Sequence, residues 1–134
     1  MALLYLLDTN ICMYIAKKKP PKVLQQFEKM AVGQISMSII TYGELLYGIE
    51  KSDHPQKSKK ILEELITLIP VLPLTSEVGE YYGHIRAILE KKGKLIGNND
   101  LWIAAHALSL KMTLVTNNIK EFSRVPHLKV INWV

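Results

Sequence analysis

The sequence predicts an α/β fold, with one domain over residues 1–134 and a five-stranded, mostly parallel sheet flanked by helices. Three observations carry that prediction. Leu3-Leu4-Tyr5-Leu6-Leu7 is a short unbroken apolar run, the pattern of a strand covered on both faces, although periodicity alone leaves a buried helix open. Further short apolar runs follow, separated by longer stretches with helical spacing, and that alternation gives parallel strands joined by right-handed crossovers. Finally, 134 residues of which 49% are hydrophobic provide for a core, with no repeat, linker or low-complexity segment.

In chain order, the first strand stops at Asp8, and Ile11 to Ala16 reads as a short helix ended by the Lys17–Pro21 run. Pro21 can open the next helix, with Val23, Leu24 and Phe27 on one face, before Gly33 breaks it. Gln34-Ile35-Ser36-Met37 is the second strand. Ser38 to Lys51 is then helical, with Ile40, Leu45, Leu46 and Ile49 facing inward. After the Ser52–Pro55 loop, with Asp53 as cap, a helix runs through Leu68 and carries Ile61, Leu62, Leu65, Ile66 and Leu68. Val71-Leu72, between two prolines, is the third strand. Ser76 opens a long helix to about Lys92, in which Gly79 and Gly83 lie one turn apart. A glycine inside a helix costs about 1 kcal/mol against alanine, so this pair predicts close packing against another element. A helix from Asn99 to about Leu110, a fourth strand at Thr113-Leu114-Val115 and a fifth at Lys129-Val130-Ile131 complete the chain.

Composition removes several classes. The single cysteine, Cys12, excludes an internal disulfide and a multi-thiolate metal site; it reads as a small core residue and fits a reducing cytoplasm. No stretch approaches the roughly 18 apolar residues of a membrane span, and the start lacks the basic segment of a signal peptide. The formal charge of +5 falls in clusters at Lys17-Lys18-Lys19, at Lys57 with Lys59-Lys60, and at Lys91-Lys92 with Lys94. Such clusters are usually solvated faces, but on a small basic domain they also suit a polyanion such as nucleic acid. His54, His84, His106 and His127 fall in no zinc-protease motif, and no nucleophile elbow or phosphate-cradling glycine loop occurs.

The acids are the informative residues. Helices joining parallel strands start at the carboxyl edge of the sheet, where open α/β folds bind their ligands. Asp8 ends the first strand, Glu44 lies in the first turns after the second, and Asp100 opens the helix before the fourth. Thr116-Asn117-Asn118 follows that fourth strand directly, so all of these share one edge. Each has a plainer explanation. Asp8 can cap a helix; Glu44 completes a capping-box pattern, Thr41-Tyr42-Gly43-Glu44; Asp100 can offset a helix dipole; Asn118 can be a turn residue. Capping does not explain three carboxylates gathered together, whose mutual repulsion calls for a cation. Oxygen-only ligands suit Mg²⁺ or Mn²⁺, and phosphodiester hydrolysis is the natural chemistry of such a site.

Leu7-Asp8-Thr9-Asn10, Ser38 to Glu44 (SIITYGE), Asn99 to Ala105 (NDLWIAA) and Val115-Thr116-Asn117-Asn118, taken in order and spacing, resemble a PIN-domain ribonuclease of the VapC toxin type. The resemblance covers the whole chain, including Phe122-Ser123-Arg124-Val125 through Asn132-Trp133. It implies a PIN-like five-stranded parallel sheet and a magnesium-dependent endoribonuclease acting on structured RNA, chiefly tRNA anticodon loops. It also implies a homodimer and a VapB-like antitoxin that covers the site. The family's acidic positions fall on Asp8, Glu44 and Asp100, with Thr116 as a supporting hydroxyl. Asn118 stands where the family often has a further aspartate, so a second metal would need charge from Glu121 or an RNA phosphate. An antitoxin groove is expected along Ile11, Tyr14 and Ile15 with Leu45, Leu46 and Ile49. Two other readings stand beside this one. A catalytically silent RNA-binding module is opposed by the intact acid set, and a small-molecule phosphatase or nucleotide-binding domain by the missing glycine loop and second strand-end aspartate.

Overall fold

A computed structural model describes residues 4–134; Leu3, placed in the first strand on sequence, lies outside the described residues. Five parallel strands run in the order β3-β2-β1-β4-β5, with β1 (Tyr5–Leu7) in the centre, β2 (Ile35–Ser38) and β3 (Val71–Leu72) on one side, and β4 (Thr113–Val115) and β5 (Val130–Ile131) on the other. The apolar run of β1 is explained by its two covered faces. Leu6 and Leu114 join one core with Ile85, Leu89, Ile103 and Phe122, while Leu7 and Val115 join the other with Ile11, Met37, Ile69 and Trp133. Successive strand residues point to opposite faces, so a doubly covered strand has no polar position to spare.

The helices are α1 (Thr9–Lys17), α2 (Pro21–Glu28), α3 (Ile39–Glu50), α4 (Pro55–Leu68), α5 (Ser76–Lys91), α6 (Asn98–Ser109) and the short α7 (Ile119–Phe122). The chain leaves β1 toward β2 and leaves β4 toward β5, in opposite directions. The crevice beyond the carboxyl ends of β1 and β4 is therefore the topological switch point, where such sheets take their ligands. Among the described residues, no helix is long and apolar enough to cross a membrane. Cys12 is fully buried against Leu7, and burial pushes its thiol well up, out of reach of nucleophilic use.

Several expectations are corrected. Asp53 does not cap α4: His54 holds the cap position, no side chain bonds there, and Pro55 removes one of the donors a cap would serve. Leu62 and Leu65 face the core, whereas Ile61 and Leu68 are exposed, because the buried stripe of α4 is narrower than its apolar content. Gly79 and Gly83 are exposed, and a Cβ at either would meet nothing within 4 Å. No close approach requires them. Of the inward residues assigned to α3, Ile40, Leu45, Leu46 and Ile49 are only partly buried against the two cores; Thr41 is the one fully covered.

Candidate active site

Asp8 is 5% exposed and follows β1 directly. Its Oδ1 accepts the Ile11 amide at 2.9 Å, capping α1, and its Oδ2 accepts the Thr116 hydroxyl. Thr116, at the end of β4, is itself fully buried and accepts the Asn118 amide at 3.0 Å. The plainer explanation of Asp8 thus holds, yet it covers only one carboxylate oxygen. The other is bound to the loop after β4, across the switch-point crevice.

Glu44 is not a capping-box residue. Ser38 caps α3 by accepting the Ile40 amide at 3.1 Å, which moves Thr41 and Glu44 inside the helix. Glu44 turns back instead to accept the Thr9 hydroxyl at 2.6 Å, with Thr41 Oγ1 3.2 Å from the same hydroxyl. Asp100 sits in the first turn of α6 behind a cap, Gly97, that offers no side chain. Burial, then Glu44, Asp8 and Glu121, push its carboxyl up to about 6, and no influence pulls it back. Burial also raises Asp8, with Glu44 adding to it, while the Thr116 hydroxyl and the Ile11 amide oppose. The acids named from the sequence are therefore close enough to perturb one another, and Glu121 in α7 joins them.

Asn118 occupies the cap position of α7 without a side-chain cap bond. Its neighbour does more: Asn117 accepts from the Asn10 amide at 3.4 Å and donates to the Tyr14 hydroxyl at 2.9 Å. Sequence reasoning placed Asn117 at this edge without a partner and missed Thr9 and Tyr14 as members of the network, although the Asp-Thr-Asn run after an apolar strand held the signal for Thr9. His106 is buried and supports the site from below. Its Nδ1 lies 2.8 Å from Ser38 Oγ. Burial lowers its pKa, so the ring is neutral at pH 7 and ties α6, which carries Asp100, to the start of α3, which carries Glu44.

Among the described residues, no three acidic, histidine or cysteine side chains converge in a group able to hold a metal ion. Mg²⁺ does not need three, since it keeps several waters and takes one or two carboxylates directly. Hard oxygen donors, a carboxyl raised by its neighbours and a crevice open to solvent fit that ion. Of the lysine clusters, Lys17–Lys19 lies at the far end of α1 from Asp8, while Lys91, Lys92 and Lys94 fall at the turn before α6 and Asp100.

A parallel sheet in this strand order with acids at its switch point defines a PIN-domain protein, and the PIN domain family matches residues 5–128. Within it the chain belongs to the VapC ribonucleases, the RNA-cleaving toxins of toxin–antitoxin pairs. It is 43% identical to the ribonuclease VapC2 of Haemophilus influenzae over 130 residues, covering 97% of this chain and 98% of that one. It is 38% identical to the tRNA(fMet)-specific endonuclease VapC of Shigella flexneri, covering 96% and 97% respectively. The solved VapBC2 complex of Rickettsia felis, bound to a DNA fragment from its promoter, superposes with a TM-score of 0.92 at 40% identity, covering 98% of this chain and 100% of that one.

Proposed function

We propose that this toxin is a magnesium-dependent endoribonuclease that cuts a tRNA in its anticodon loop, acts in the cytoplasm as a homodimer, and is neutralised by a VapB-type antitoxin. The observation that carries the metal dependence is the gathering of Asp8, Glu44 and Asp100 at the switch-point crevice, where burial and the Glu44 charge push the Asp8 and Asp100 carboxyls up. The tRNA reading is supported by the Shigella flexneri relative, whose name specifies such a substrate. Asp8 and Asp100 would hold Mg²⁺, with Mn²⁺ as a substitute. Held by these two carboxylates, such an ion would supply a water of lowered pKa and positive charge for a non-bridging phosphate oxygen. Thr116 and the α1 amide fix the Asp8 carboxylate so that its orientation is set before substrate arrives. Glu44 spends one oxygen on Thr9 and keeps the other to orient the attacking water or take its proton. Cleavage of tRNA by the purified chain is expected with Mg²⁺ or Mn²⁺ and to be abolished by EDTA. Undiminished cleavage in EDTA, with contaminating nucleases excluded, would reject the metal.

The antitoxin's seat requires a correction. Ile11 and Ile15 are core residues, and Tyr14 bonds to Asn117 at the site, so they do not form a groove. An open apolar groove of about 370 Å³ lies instead between α1, α3 and α4, walled by Met13, Ala16, Leu45, Ile49, Ile61 and Leu65. We propose that an amphipathic antitoxin helix occupies it. The nine residues of α1 rise only about 13 Å, so the antitoxin chain can continue along α1 to cover Asp8. Ile61, 37% exposed, tests this without touching the core. Ile61→Glu is expected to fold normally and weaken antitoxin binding by roughly thirtyfold or more, read by calorimetry. Unchanged affinity would place the antitoxin elsewhere.

A further inference from the structure

A second cavity, of about 560 Å³, opens beside the acids and is walled by Thr9, Ile39, Gly43, Glu44, Tyr47 and Asn99. Thr9 and Glu44 belong to the acidic network as well, so this space adjoins that network. Its volume is that of a small-ligand pocket. Tyr47 is 64% exposed although it sits mid-helix next to the site. Lys51, one turn on, lies over its ring with Nζ 4.9 Å from the centroid, which steadies the ring. Gly43, one turn before Tyr47, would carry its Cβ into open space with nothing within 4 Å. Packing therefore does not ask for glycine there, and any longer side chain would intrude on the cavity. An aromatic face, an apolar wall at Ile39, an amide at Asn99 and a nearby cation are together the chemistry that holds an unstacked nucleobase and its phosphate.

We propose that this cavity takes one unpaired base adjoining the cleaved bond, stacked on Tyr47, with the Asn99 amide on its edge and Lys51 near the flanking phosphate. The proposal rests on the ribonuclease reading and adds a specificity site to it. Gly43 keeps the cavity open, and Tyr47 positions substrate without joining the chemistry.

The test uses the full chain carrying Asp100→Asn to prevent cleavage, titrated with RNA hairpins bearing 2-aminopurine at one loop position after another. Quenching is expected at one loop position. It should disappear with Tyr47→Ala and with Gly43→Leu, which favours the helix but fills the cavity, and return with Tyr47→Trp. Tyr47→Ala should weaken hairpin binding by roughly five- to a hundredfold and, in chains that retain Asp100, raise KM far more than it lowers kcat. Quenching indifferent to both positions overturns the base site. So does a Tyr47→Ala chain that changes oligomeric state in sedimentation yet binds RNA normally, which would make this face a contact between copies. If the parent chain neither binds nor cleaves any hairpin, the ribonuclease reading falls and the base site with it. If it cleaves without quenching, the base site alone falls.

Discussion

Asp100→Asn is expected to cut RNA cleavage by at least roughly a hundredfold while leaving the metal-free fold as stable as the parent, or more so. The carboxyl is raised to about 6 by burial and by Glu44, Asp8 and Glu121, whereas in the unfolded chain it titrates near 3.8. The folded state thus holds this proton more tightly than the unfolded state does. With a raised acid, stability falls as pH climbs from about 4 through about 6, because the native chain must give up a proton that its surroundings favour. Asparagine cannot ionise, so the substituted chain should lose that slope and match or exceed the parent at pH 7 in EDTA. Added Mg²⁺ should raise the parent's melting temperature and do little for the variant, since a ligand stabilises only the state it binds. Melts across pH with and without Mg²⁺, run beside a cleavage assay, decide the matter. If the variant melted lower at pH 7 in EDTA and still cleaved RNA, Asp100 would be a helix-start residue only.

The sheet was legible because its signal is coarse. Leu6 and Leu7 point into different cores, and a strand covered on both faces is apolar at every position. The carboxyl-edge placement of Asp8, Glu44, Asp100 and Thr116 followed from that sheet by topology alone. What stayed hidden depends on one-residue choices. Ser38, not Thr41, caps α3, because the strand runs one residue further than Met37, and that shift turns Glu44 from a cap residue into the acceptor of the Thr9 hydroxyl. Asn117 and Asn118 are adjacent and chemically alike. Their different partners are decided by the turn into α7, a four-residue helix too short to announce itself by periodicity. Ile11 and Met13 are both apolar on α1, yet one is core and the other groove wall, a distinction that only the packing of α3 and α4 makes.

Asp8 does two jobs, capping and charge, and two substitutions separate them. Asp8→Asn keeps an oxygen for the Ile11 amide and places an amide beside Thr116, whose hydroxyl oxygen can accept a second bond in addition to that from Asn118. Asp8→Ala keeps neither. It removes the cap, at about 1 kcal/mol, and the bond that the asparagine amide gives the Thr116 oxygen, at about 1 kcal/mol more. Both substitutions abolish the same buried charge, whose carboxyl burial and Glu44 already raise. Their difference in stability therefore isolates the hydrogen bonds. In EDTA at pH 7, Asp8→Asn should lie close to the parent, because relief of the buried charge offsets the hydroxyl proton it strands, and Asp8→Ala should be about 2 kcal/mol less stable than Asp8→Asn. Both should lose cleavage by at least roughly a hundredfold, since neither presents a carboxylate. Chemical denaturation gives the first comparison and a cleavage assay the second. An Asp8→Asn chain that cleaves at the parental rate would reduce Asp8 to the cap of α1 and leave the chemistry to Glu44, Asp100 and Glu121.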